Sequence, residues 1–192
     1  FAIIFFVFNF NTTELSAQER YYWSDQRQIY LQDHHQSMVV IFKEALPTEA
    51  QSIQHPDVSS VEIHANSKRI IIHFNRVQTS TTQAITEQLN LPSNAIKLSS
   101  YGQQLEDGFV IYPTDKLLLK LRKDVTLEEL NASFRASKAT IIQNQNQLVS
   151  LSIEDVNQSF LLANTLYEQA KVEWAHPDFY APIKHHLTPS DT

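Results

Sequence analysis

The sequence predicts an α+β chain made of two βαββαβ units in tandem, each closing an antiparallel four-stranded sheet. Three observations predict it: apolar runs of strand length, apolar residues at helical spacing between them, and the return of that element order in both halves. The 192 residues suffice for one large or two small domains, and a 42% hydrophobic content can bury a core.

The second half carries the pattern more clearly. Asp115-Lys116-Leu117-Leu118-Leu119-Lys120-Leu121-Arg122 is an apolar run with charged ends, as in a central strand. Thr126 and Glu129 have capping-box spacing and precede Leu127, Leu130 and Phe134, which share one helical face that ends near Lys138. Thr140-Ile141-Ile142 and Leu148 to Ile153 flank a polar turn and predict a hairpin. Asp155 is the expected N-cap of a second helix whose stripe is Val156, Phe160, Ala163 and Tyr167, widened by Leu162 and Leu166. Val172-Glu173-Trp174-Ala175 returns as the last strand. The order describes a ferredoxin-like α/β sandwich with both helices on one face of the sheet.

The first half repeats the order more weakly. Tyr21-Tyr22-Trp23 and Gln28-Ile29-Tyr30-Leu31 bracket Ser24-Asp25-Gln26 as a hairpin, and Met38 to Lys43 reads as a core strand. A short helix over Thr48 to Gln54, a strand pair around Asn66-Ser67-Lys68, a helix over Thr79 to Leu91 stopped at Pro92, and Ile96-Lys97-Leu98 complete the round. The expected units are residues 21–101 and 109–182, joined through the polar, glycine-containing stretch Gln103 to Gly108.

At the N-terminus, Phe1 to Phe10 is too short to span a bilayer and leads to Leu15-Ser16-Ala17-Gln18, a small-residue cleavage region. Residues 1–17 are therefore expected to be the remnant of a signal peptide, which predicts a secreted, periplasmic or cell-surface protein. With no initiating Met ahead of them, and Thr192 in a loop-like stretch, the sequence reads as part of a longer frame.

The run Ala163-Asn164-Thr165-Leu166-Tyr167-Glu168-Gln169-Ala170-Lys171-Val172-Glu173-Trp174-Ala175-His176-Pro177-Asp178-Phe179 resembles the end of the propeptide of secreted subtilisin-like serine peptidases. Tyr112 to Leu121 and Val125 to Leu130 resemble the opening of the same module, so the resemblance spans residues 109–182. It implies a non-catalytic, cofactor-free, monomeric module that acts as intramolecular chaperone and temporary inhibitor of a catalytic domain in cis. It also implies that the outer sheet face packs on the protease, that Asp178 caps protease helix N-termini, and that Tyr180, Ala181, Pro182, Ile183 and Lys184 run through the substrate cleft. Residues 183–192 would then link to the catalytic domain. His176 stands where the family often has a second acid, and could make release from the peptidase pH-dependent. The competing expectation is a stand-alone exported interaction or adhesion module.

Other chemistry is less well supported. The chain has two glycines, too few for G-x-G-x-x-G, a P-loop or G-x-S-x-G. Net charge is −6 without a basic stripe, which argues against nucleic acid, and the absence of cysteine excludes disulfides and thiolate metal sites. The pairs His34-His35 and His185-His186 lack a helical carboxylate partner, so they read as solvated loop histidines and no metal is expected.

Overall fold

The computed structural model describes residues 20–182. Its strands are β1 (Arg20–Ser24), β2 (Arg27–Phe42), β3 (Val58–His64), β4 (Arg69–Phe74), β5 (Ile96–Gln104), β6 (Val110–Leu121), β7 (Thr140–Gln145), β8 (Leu148–Ser152) and β9 (Val172–Tyr180). The helices are α1 (Thr48–Gln51), α2 (Thr82–Gln88), α3 (Leu127–Ala136) and α4 (Val156–Glu168). No helix among these residues is long and apolar enough to cross a membrane.

The expected tandem of ferredoxin-like units with separate four-stranded sheets is corrected by the strand pairing. All nine strands join one sheet in the order β3-β4-β2-β5-β6-β8-β7, with β1 on β2 and β9 on β6. Every pairing is antiparallel. The sheet is continuous because residues that look like loop are strand. Gln32, Asp33 and His34 extend β2 against Gln104, Gln103 and Gly102, and Gln103 and Gln104 pair onward with Ile111 and Val110 of β6.

Polar residues can hold this seam because they satisfy one another. Gln103 is fully buried. Its amide nitrogen donates to Asp33 at 2.7 Å, while its oxygen accepts from Arg20 at 2.7 Å. Arg20 also pairs with Asp33 at 2.5 Å and donates to Asn157 of α4 at 2.7 Å. Gly102 lies at the same seam. A Cβ there would sit 2.8 Å from Val110 Cγ1, 3.0 Å from Ser37 Oγ and 3.2 Å from Tyr112 Cε1. The Tyr112 hydroxyl meets Ser37 Oγ at 3.0 Å across this contact.

Burial on two faces explains the unbroken apolar runs of β2 and β4. Met38, Val40, Phe42, Ile70, Ile72 and Phe74 pack with Ala50 of α1 and Ile85 of α2. Val39, Ile41 and Ile71 point the other way and pack with Ile111, Tyr112, Val156 and Phe160 from the second half. A third cluster joins Leu117, Leu119 and Leu121 of β6 and Val149 and Leu151 of β8 to Leu130 and Phe134 of α3 and to Leu162 and Leu166 of α4. Both α3 and α4 therefore cover the same face of β6 and β8.

Local signals explain where these helices start. Glu129 accepts from the Thr126 backbone N–H at 3.2 Å and from its hydroxyl at 3.1 Å, opening α3. Asp155 accepts from the backbone N–H of Asn157 at 2.8 Å and of Gln158 at 3.4 Å, opening α4.

Among the described residues, one ion pair ties the halves together: Lys97 Nζ of β5 lies 2.5 Å from Asp115 Oδ2 of β6, which also accepts from Ser152 at 3.0 Å. Burial alone would raise the Asp115 pKa, but the hydrogen bond and charge of Lys97, with Ser152, hold it below the ordinary carboxylate value. Because the folded pKa is depressed, this stabilisation is complete above about pH 4 and fades as the pH falls through that value toward Asp115's lower one. Asp115→Asn is expected to cost about 1–2 kcal/mol at neutral pH and to flatten the acid limb of stability, as read by urea unfolding from pH 7 to pH 3.

Candidate functional site

The face of β6, β8 and β9 opposite α3 and α4 follows from alternation. Leu117, Leu119 and Leu121 point to the helices, so Lys116, Leu118 and Lys120 point away. Register fixes their neighbours: Leu118 is opposite Ser150 and His176, Lys120 opposite Leu148 and Trp174, and Lys116 opposite Ser152. On β7, Gln143 faces Ser150 and Gln145 faces Leu148. Leu118 and Leu148 are 38% and 47% exposed, large values for leucines in the middle of a sheet. The surface is thus an apolar centre of Leu118, Leu148 and Trp174 within a border of serines, glutamines and lysines. Lys120 is held 2.6 Å from Glu173, which leaves that part of the border nearly neutral. Sequence reasoning anticipated an outer face but did not single out Leu118 and Leu148, although the Lys-Leu-Leu-Leu-Lys alternation contains that signal.

One side of this face is flanked by the β1-β2 hairpin. Trp23 stacks on Tyr167 at 5.2 Å, and Glu168 of α4 accepts from both the Tyr21 hydroxyl at 2.9 Å and the Trp23 indole at 3.2 Å. Tyr22 reaches β9, with its ring 5.4 Å from Phe179 and 5.9 Å from His176. Burial under these rings lowers the His176 pKa, with Asp25 opposing. His176 is therefore a neutral, half-buried member of this face above its ordinary titration range.

The residues singled out for protease binding lie at one end of β9. Asp178 accepts from the Thr114 hydroxyl at 2.7 Å. Tyr180 is the last residue of β9; the Arg69 guanidinium carbon lies 3.6 Å above its ring, and the His64 ring is 5.1 Å away. Ala181 is exposed and Pro182 half-buried. Ile183 and Lys184 lie outside the described residues, as do residues 1–17 and His185-His186. Asp178 and Tyr180 are thus held on the body of the chain, Asp178 by Thr114 of β6 and Tyr180 against β3 and β4. Sequence spacing could not show that contact, because Arg69 and Tyr180 lie far apart along the chain.

The histidine expectations change in part. His34 and His35 are strand residues of β2, not loop residues. His35 packs 4.3 Å from the Tyr101 ring, and burial first, then His73 and His35, lowers the His34 pKa. His73 Nε2 meets Glu62 at 2.8 Å. Among the described residues, no three histidine or acidic side chains are grouped as a metal ion would require. A cleft of about 540 Å³ opens between β5 and α4, lined in part by Arg20, Asp33, Lys97 and Asp155. Arg20 and Asp33 are paired with each other, Lys97 with Asp115, and Asp155 caps α4, so most of its charge is already engaged. Comparison with known protein families, curated proteins and solved structures gives no match for this chain.

Proposed function

We propose that this chain is a non-catalytic, exported binding module whose open sheet face docks on a folded subtilisin-like catalytic domain in cis. There it acts as intramolecular chaperone and temporary inhibitor. The observation that carries the reading is a sheet covered by α3 and α4 on one side and presenting Leu118 and Leu148 on the other. The resemblance of residues 109–182 to subtilase propeptides supplies the identity of the partner. A module that binds the native protease better than its unfolded states both stabilises that fold and blocks its cleft until removed. Residues after Tyr180 would enter the cleft as an extended peptide, gaining main-chain hydrogen bonds at low ordering cost.

Two experiments test this. Reading the coding sequence beyond residue 192 should reveal Asp, His and Ser catalytic motifs. Truncation after Pro182 should weaken inhibition of that catalytic domain more than tenfold if cleft occupancy contributes over about 1.4 kcal/mol. Unchanged inhibition would refute the cleft contact. A stand-alone exported adhesion or interaction module is the second reading, favoured by the Arg69–Tyr180 contact, which holds the end of β9 on the chain itself. A reading frame without a peptidase domain would select it.

A further inference from the structure

We propose that β7 is a pairing edge, through which a second copy of this chain adds antiparallel about a two-fold axis to form a dimer with one continuous sheet. The inference rests on the backbone edge of β7 rather than on the apolar centre of the open face or on the catalytic domain, and it departs from the monomer that the sequence resemblance implies.

Among the described residues, β7 ends the sheet and pairs only with β8. Its outer backbone N–H and C=O groups are therefore available to another strand, and each of its six residues is exposed. Sheet edges are ordinarily protected by charge, proline or strong irregularity. The opposite end strand, β3, carries Glu62 and His64, and β9 carries Glu173, Pro177 and Asp178. β7 has neither a charge nor a proline, and no residue from Ala139 to Ile153 is charged. One bulge, between Ile141 and Gln143, leaves Gln143 to Gln145 in regular register with β8.

The chemistry of the strand selects the occupant. A two-fold antiparallel pair sets Thr-Ile-Ile-Gln-Asn-Gln against its own reversal, so every facing pair is neutral. Glutamine and asparagine amides both donate and accept, which makes this edge complementary to itself. Elsewhere, a net charge of −6 opposes close approach of two copies, whereas this segment contributes nothing to the repulsion. Ile141 and Ile142, 41% and 54% exposed, gain burial in the same contact. Because the other edges carry charge or proline, growth stops at two chains.

Sedimentation equilibrium of the full chain should show an average mass rising from one chain toward two with concentration. Amides of Gln143 to Gln145 should exchange more slowly at the high end. Ile142→Lys and Asn144→Lys place a cation on the exposed edge, Asn144 lying opposite Val149 and so off the open face, and should each weaken association more than about tenfold. Their circular dichroism and thermal midpoints should match the parent chain, which separates lost pairing from lost folding. A parent chain monomeric at every concentration, open-ended assembly, or variants that dimerise like the parent would each overturn the proposal. None of these outcomes bears on inhibition through Leu118.

Discussion

Leu118→Asp is expected to weaken binding of this chain to the proposed subtilisin-like catalytic domain about a hundredfold, a loss of about 2.7 kcal/mol, while leaving its thermal midpoint nearly unchanged. The binding effect has two sources. The variant forfeits burial of a leucine at the centre of the contact, about 1.5–3 kcal/mol when complete, and adds a carboxylate that must be desolvated. Folding is spared because Leu118 points away from α3 and α4 and already meets solvent. Its flanking same-face neighbours Lys116 and Lys120 would even favour a carboxylate between them. Leu118→Ala should lose less, since it removes area without adding a charge. Titrating residual peptidase activity gives the inhibition constant, and thermal unfolding followed by circular dichroism gives the control. An inhibition constant like the parent's would show that the face stays uncovered in the complex.

Gly102→Val is expected to act on the opposite balance, costing about 3 kcal/mol of stability through overpacking at the β5-β6 seam. Even a single Cβ meets Val110 and Ser37 inside ordinary contact, with Tyr112 close behind. The position is crowded by design of the pairing: Tyr112 must approach Ser37 for its hydroxyl to bond there. Gly102→Ala should cost less than valine, and adding Val110→Ala should restore part of the loss, because it removes the atom closest to the new Cβ. Urea unfolding of the two single variants and the double variant measures that coupling. Additive losses would place the strain elsewhere.

Gly102 also shows why the continuous sheet was hard to read from sequence. Near a second glycine and beside polar glutamines, it marked the stretch before Phe109 as a joint. Apolar periodicity reveals elements that bury apolar side chains, and it located β6, the β7-β8 hairpin, and the capped starts of α3 and α4. It is silent where a strand is held by polar partners distant in the chain. Gln103 looks like linker until Asp33 and Arg20 are placed beside it. The polar stretch Gln32 to Ser37 looks like loop until β5 pairs with its first residues. The continuous nine-stranded sheet depends on both stretches. For the site, the outward position of Leu118 was present in the alternation, whereas the seating of Tyr180 under Arg69 depended on a tertiary contact.

A photo-crosslinking residue placed at position 118, compared with one at the exposed Leu161 of α4, tests the docking face most directly. Mixed with the catalytic domain and irradiated, the chain labelled at position 118 should form a one-to-one adduct, and the chain labelled at 161 should not. An adduct from position 161 alone, or from neither position while inhibition persists, would contradict docking through the open face.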